Sequence, residues 1–242
     1  SIKKLHNSKD AKNNQSKSYR RLVFDELCAN FLALLENRKR IKKNKTPKLF
    51  DDNYAKTIIK NLPFNLTNSQ VKVLDEINVD LLKDQRMFRI IQGDVGSGKT
   101  IVSLIPIFNV IKSGYQCALM SPTEILAKQH YIFSKKIFKD EIKIEFLTGK
   151  TEYKKRKEIL KNLKSEKIDL LIGTHALFQN KIEFKNLGLI VIDEQHKFGV
   201  KQRSDLAKKG GDNCDVLLMS ATPIPRTMMM SLYGDMYISK IS

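Results

Sequence analysis

The eight residues from Gly93 to Thr100 restrict the fold of this chain more than any other feature, since they read Gly-Asp-Val-Gly-Ser-Gly-Lys-Thr. They match G-x-x-x-x-G-K-[ST], a loop whose backbone N–H groups surround the phosphates of a nucleotide. Its glycines permit backbone conformations that are closed to other residues. Lys99 is predicted to place its charge between the β- and γ-phosphates, and Thr100 to offer its hydroxyl to Mg²⁺. The sequence therefore predicts a site for ATP at Gly93, Asp94, Val95, Gly96, Ser97, Gly98, Lys99 and Thr100.

Short apolar runs alternate with stretches of helical spacing after residue 61. The runs cover residues 88–92, 117–120, 142–147, 170–173, 189–192 and 216–219, and the helical stretches cover 99–113, 123–138, 151–164 and 198–209. Strands and helices in alternation indicate an α/β fold with a parallel sheet that is covered on both faces. Ligands of such a sheet are expected at the carboxyl ends of its strands.

Acidic and hydroxyl residues follow two of these runs directly. Asp193 is predicted to hold Mg²⁺, and Glu194 to orient and deprotonate the attacking water, because both stand at the end of a predicted strand. An acidic helix start is the alternative interpretation of the same two residues. The hydroxyls of Ser220 and Thr222 either bond these acids across the sheet or cap their own strand end.

The first 60 residues are strongly basic, and apolar side chains recur there at helical spacing. We predict a helix from about Tyr19 to Ile41, within a basic, largely helical extension (residues 1–60) that precedes a domain at 61–242. The whole chain carries a net charge of +18. Such a charge indicates a polyanionic partner, nucleic acid first, although the amino-acid bias of an A/T-rich genome gives the same excess.

Three scattered cysteines, Cys28, Cys117 and Cys214, form no C-x-x-C pair, so neither a disulfide framework nor a zinc site is expected. No apolar run approaches the ~20 residues of a membrane span, and no apolar signal segment follows the N-terminus. These features favour a reduced, cytoplasmic setting without membrane contact.

The motifs G-x-G-K-T at 96–100, D-E-x-H at 193–196 and S-A-T at 220–222 resemble those of superfamily 2 helicases. Longer segments resemble the RecG family of bacterial DNA helicases, namely 93–100, 119–127, 172–177, 192–200 and 220–227. The transcription-repair coupling factors share these motifs, but their acid motif usually ends in Gln where this chain has His196.

The resemblance implies a RecA-like P-loop NTPase lobe, built as a three-layer αβα sandwich with a mostly parallel central sheet. It implies an enzyme that couples Mg²⁺-dependent ATP hydrolysis to the unwinding and remodelling of branched or forked DNA, in repair and recombination. It also implies a second RecA-like lobe and a wedge domain in the same protein, with residues 1–60 leading from the end of the wedge, and a monomeric state.

Roles for single residues also come from the resemblance. Gln70 corresponds to the residue that reads adenine, although Thr67-x-x-Gln70 is also a helix capping box. Positions expected at the DNA backbone are Thr123, Thr174 and His175, with Arg226 at either the DNA or the neighbouring lobe. Positions expected to couple the ATP site to the DNA are His196, Ser220 and Thr222.

The sequence ends about twenty residues after Thr222, before any arginine-finger motif. We therefore expect a lobe that binds nucleotide weakly, hydrolyses it slowly and does not unwind DNA alone, since such arginines contribute about 10³ to 10⁵ in rate. Two alternatives stay open. One is the motor lobe of a transcription-repair coupling factor, and the other is a nucleotide-dependent binding module without useful catalysis.

Overall fold

The chain divides into two units, Ser1–Lys42 with Pro225–Asp235 and Lys43–Ile224 with Met236–Ser242. The computed structural model describes residues 19–29, 32, 44–178, 182–193, 211–222 and 236–241. In the first unit, residues 19–29 form helix α1, in which Arg21 pairs with Asp25 one turn later at 3.1 Å. This agrees with the first half of the predicted helix. The rest of that prediction, apart from residue 32, lies outside the described residues.

Seven parallel strands make up the described sheet of the second unit. They are β1 (Phe88–Gly93), β2 (Gln116–Met120), β3 (Ile144–Leu147), β4 (Leu170–Gly173), β5 (Leu187–Ile192), β6 (Asp215–Ser220) and β7 (Tyr237–Ile241). Their order in the sheet is β3-β4-β2-β5-β6-β1-β7, and every neighbouring pair is parallel. All seven carboxyl ends therefore meet at one edge, where ligands of such sheets bind.

All six predicted apolar runs form strands, so the predicted mostly parallel sheet is confirmed. The seventh strand, β7, was not predicted, because its five residues form no continuous apolar run. Tyr237 and Lys240 are exposed, whereas Ser239 and Ile241 are buried. The polar residues Ser239 and Lys240 interrupt the apolar ones, and five residues of mixed polarity are a weak signal.

Five α-helices belong to the second unit as described. They are α2 (Asp52–Lys60), α3 (Asn68–Leu82), α4 (Lys99–Lys112), α5 (Glu124–Phe138) and α6 (Tyr153–Lys164). The last three confirm the predicted helical stretches 99–113, 123–138 and 151–164. The fourth predicted stretch, 198–209, lies outside the described residues, and α2 was not predicted as a separate helix.

Helix α4 lies at the centre of the main hydrophobic core. All its residues from Ile101 to Val110 are buried, Pro106 included. The helix contacts α2 and α3 and the strands β1, β2 and β5. A helix that is apolar on every side is typically buried on every side. This packing fixes the start of α4 at Lys99, and with it the loop that leads into the helix.

Residues 44–48 belong to the second unit, where they are held by buried charges. The ammonium groups of Lys45 and Lys48 contact Asp215 Oδ2 at 2.7 and 2.6 Å, and none of the three side chains is exposed to solvent. Asp215 begins β6, so this contact lies at the sheet edge opposite to the carboxyl ends. The assignment of residues 1–60 to a linker from a wedge domain stays a prediction.

The cysteines are unpaired, as the sequence predicts. Cys117 and Cys214 are fully buried. Burial raises the pKa of Cys214 to about 12 and that of Cys117 well above its ordinary value, so both thiols stay protonated. Among the described helices, none has the length and apolarity that crossing a membrane requires.

Candidate nucleotide-binding site

The glycine-rich loop connects β1 to α4 at the carboxyl edge of the sheet. Gly96 and Gly98 have φ values of +86° and +85°, in the left-handed region that L side chains rarely adopt. A Cβ atom at Gly98 would also overlap the side-chain nitrogen of Gln70. The loop therefore requires glycine at position 98 for two reasons, its backbone conformation and its close approach to α3.

Lys99 directs its ammonium group back into this loop. Its Nζ donates to the backbone oxygens of Gly93 and Asp94, both at 2.7 Å. The hydroxyl of Ser97 is buried and has no hydrogen-bond partner within the described part of the chain. Thr100 is half-buried in the first turn of α4. A positive charge at the loop and an orphaned hydroxyl within it suit a polyanionic ligand, since buried polar groups normally have partners.

The sequence left two interpretations of Gln70 open, a helix capping box and a contact with adenine. Thr67 caps α3, since its hydroxyl accepts from Gln70 N at 3.3 Å and Gln70 Oε1 accepts from Thr67 N at 2.9 Å. Gln70 Nε2 also donates to Ser97 O at 2.9 Å, which ties α3 to the glycine-rich loop. The capping box is thus present. The adenine role stays a prediction, and the two are compatible, because an amide has two donor hydrogens and two acceptor lone pairs.

Asp193 follows β5, and its contacts include one of its backbone and one of its side chain. Its backbone N–H donates to Met120 O at 2.8 Å, and its Oδ2 lies 2.7 Å from Nε2 of His130 on α5. Both side chains are largely buried. Sequence reasoning missed His130, although a lone histidine on the apolar face of a predicted helix was a signal. Glu194 and His196, predicted as catalytic and coupling residues, lie outside the described residues.

Ser220 ends β6 and Thr222 follows it. The strand β6 lies between the strand of the glycine-rich loop and the strand of Asp193. Ser220 Oγ lies 3.1 Å from Thr222 Oγ1 and accepts from Thr222 N at 3.2 Å. These bonds are local, as in the capping alternative of the sequence analysis. The register pairs Gln92 with Ser220 and Ile192 with Leu218. The three motifs therefore lie on neighbouring strand ends, and the coupling role of the two hydroxyls stays a prediction.

A second feature, an open cleft, lies at the ends of the other strands, β2, β3 and β4. Its volume is about 360 Å³, and it is lined by Pro122, Glu124, Gly149, Thr174, His175 and Ala176. Thr123 is the N-cap of α5 beside this cleft, and its hydroxyl accepts from Leu126 N at 3.3 Å. Lys150 contacts Glu124 at 3.1 Å. The structure thus brings three of the four predicted DNA-contact residues together. The fourth, Arg226, lies outside the described residues.

Thr100 and Asp193 are the predicted ligands of Mg²⁺. Both offer oxygen, the donor that this hard cation prefers, and Mg²⁺ normally keeps several waters beside one or two protein ligands. No group of three or more His, Cys, Asp or Glu side chains among the described residues could hold a metal ion. Two protein oxygens, from Thr100 and Asp193, fit a Mg²⁺ ion whose other ligands are waters and nucleotide phosphates.

A glycine-rich loop after a parallel strand, with an acid at the end of the strand two places away, defines a P-loop nucleotide-binding lobe. The model of the DEAD/DEAH box helicase family matches residues 67–230. The chain therefore belongs to the DEAD/DEAH box helicase family.

Its relatives confirm the resemblance to the RecG helicases. The chain is 48% identical to the ATP-dependent DNA helicase RecG of Aquifex aeolicus over 99% of its own length and 31% of that protein. It is 47% identical to RecG of Bacillus subtilis over 92% of its length and 33% of that protein. The chain thus spans about a third of the relatives that it matches.

Solved structures agree with the RecA-like fold. A structure of RecG bound to a three-way DNA junction matches with a TM-score of 0.78 and 40% identity, over 92% of this chain and 30% of that one. The UvsW helicase of bacteriophage T4 matches with a TM-score of 0.58 and 16% identity, over 81% of this chain and 70% of that one. The second likeness concerns the fold alone.

Proposed function

We propose that this chain is the ATP-binding motor lobe of a DNA helicase that remodels branched DNA, such as stalled forks and recombination intermediates, in repair and recombination. The proposal is supported most directly by one edge of the sheet, where two groups of predicted site residues lie on separate strand ends. The residues predicted to bind nucleotide lie at the ends of β1, β5 and β6, and the cleft lies at the ends of β2, β3 and β4. The similarity to RecG bound to a three-way DNA junction supports branched DNA as the substrate.

On the nucleotide side, Gln70 pairs with the adenine edge, and the loop N–H groups and Lys99 bind the phosphates. Thr100 and Asp193 hold Mg²⁺, which supplies charge stabilisation at the phosphates when it is bound. Glu194 orients the attacking water and takes its proton. We assign the arginines that complete this site to a second RecA-like lobe of the same protein.

On the DNA side, the N-terminus of α5 and the residues Thr174 and His175 contact the phosphate backbone, as helix N-termini and hydroxyls commonly do. We also propose that the protein acts as a monomer in the cytoplasm, with a wedge domain that engages the branch point. His196, Ser220 and Thr222 couple the two sides. Arg226 contacts DNA phosphate or the second lobe.

Binding of forked DNA by the 242-residue chain tests the DNA side. Replacing Thr174 by valine removes one hydroxyl from the cleft and keeps the shape of the side chain. The dissociation constant of a fluorescent fork, measured by anisotropy, is expected to rise about tenfold, as loss of a charge-assisted hydrogen bond predicts.

The matched control for this experiment is Thr57→Val on α2. The hydroxyl of Thr57 donates to Asn53 O and lies away from the cleft-lining residues. This variant is expected to bind the fork like the unmodified chain. A Thr174→Val variant with unchanged fork affinity would remove the cleft from the proposed DNA path, and a chain that binds no fork at low salt would contradict the DNA function itself.

A further inference from the structure

His130 and Ser134 are the two polar residues on the buried face of α5. Ala127, His130, Ser134 and Phe138 form the buried side of α5. His130 and Asp193 are exposed by only 7% and 8%, and the two side chains meet at 2.7 Å across 63 residues of sequence. A buried contact of this length between an imidazole and a carboxylate is a full hydrogen bond. Because an ionised carboxylate only accepts, the proton of the bond is carried by His130 Nε2.

The bond to His130 restrains the orientation of the Asp193 carboxylate. The terminal torsion of an aspartate has broad, roughly two-fold minima, so the backbone alone does not fix the plane of the carboxylate. One oxygen held by a ring on a packed helix selects one orientation. Side chains that hold a metal-ligating carboxylate in this way typically contribute 10- to 100-fold to metal affinity or activity.

We propose that His130 is a positioning residue. It holds Asp193 Oδ2 so that the carboxylate faces the cation of a bound Mg²⁺–nucleotide. This inference rests on the proposed nucleotide site and adds a residue outside the motifs that define it. The same helix is capped by Thr123 beside the cleft, so α5 lies next to both the cleft and Asp193. His130 acts through Asp193 and does not itself touch the nucleotide or the metal ion.

Nucleotide binding with and without Mg²⁺ tests the role of His130. The chain is titrated with ATP in the presence of Mg²⁺ and again in the presence of EDTA, by calorimetry. His130→Leu removes the donor at similar volume. It is expected to weaken binding about tenfold in Mg²⁺ and to leave binding in EDTA unchanged, because only the metal contribution depends on Asp193.

Two further variants separate positioning from a general effect on the fold. In His130→Gln the nitrogen Nε2 lies four bonds from Cα, as in histidine, so this variant is expected to restore most of the Mg²⁺-dependent affinity. Ser134→Ala changes the same helix face one turn later, at a buried hydroxyl that has no partner among the described residues. It is expected to bind ATP like the unmodified chain under both conditions.

The possible results distinguish failure of the nucleotide site from failure of the role of His130. If the unmodified chain does not bind ATP, the proposed nucleotide site fails. If it binds ATP and His130→Leu loses equal affinity in Mg²⁺ and EDTA, the residue is structural only and the positioning role is overturned. Unchanged affinity of His130→Leu in Mg²⁺ overturns it as well. Combining His130→Leu with Asp193→Asn is expected to cost no more than Asp193→Asn alone, whereas additive losses would contradict action through Asp193.

Discussion

Replacing Asp215 by asparagine is expected to lower the free energy of unfolding by about 3–5 kcal/mol, the usual cost of removing one partner from a buried charge cluster. Asp215 Oδ2 accepts from Lys45 and Lys48, and its Oδ1 accepts from Met87 N at 2.6 Å. Burial lowers the pKa of Lys45, and the charge of Asp215 opposes this shift. Without the carboxylate, two buried ammonium groups face each other with no anion between them.

Urea denaturation of the chain measures this effect. The control is Glu141→Gln, which removes the acid of a solvent-exposed pair with Lys112 at 3.1 Å. Exposed pairs contribute about 0–1 kcal/mol, so this variant is expected to unfold almost like the unmodified chain. If Asp215→Asn costs no more than Glu141→Gln, the cluster does not anchor residues 44–48 to the sheet.

Replacing Gly98 by alanine is expected to reduce affinity for ATP by about 100-fold or more, the loss expected when two or more charge-assisted hydrogen bonds are broken. A left-handed backbone costs an L residue about 1–2 kcal/mol, and the added methyl group meets Gln70 Nε2. Relief of this overlap moves the loop or Gln70. The predicted contacts with the phosphates and with adenine are therefore disturbed together.

Gly114→Ala is the matched control for this prediction. Gly114 has the same φ of +85°, but a Cβ atom there meets nothing within 4 Å and the residue lies outside the nucleotide loop. The backbone cost is therefore similar, and ATP affinity is expected to stay unchanged in a calorimetric titration. A Gly98→Ala variant that binds ATP as tightly as Gly114→Ala would contradict the predicted phosphate loop.

Local features of this site could be predicted from the sequence. The capping box joins Thr67 to Gln70 over three residues, and the glycine-rich loop is continuous. Residue spacing alone therefore encodes both features. The central strands could also be predicted, because strands that are buried on both faces have continuous apolar sequences.

Contacts between distant segments could not be predicted in this way. Lys45 and Asp215 are 170 residues apart, and His130 and Asp193 are 63 residues apart. No periodicity in the chain indicates which charged side chain pairs with which partner. Only the order of the strands and the packing of α5 bring these groups together. The edge strand β7 was missed for a related reason, since its pairing with β1 is a property of the sheet.

The location of bound adenine shows whether Gln70 and the glycine-rich loop form one ATP site. Photo-crosslinking of the chain with 8-azido-ATP, followed by tryptic digestion and mass spectrometry, is expected to label the peptide 61–72, which contains Gln70. Excess ATP is expected to remove the label, and excess GTP to leave most of it. A label on other peptides, or a label that ATP does not displace, would contradict an ATP site formed by Gln70 and the loop from Gly93 to Thr100.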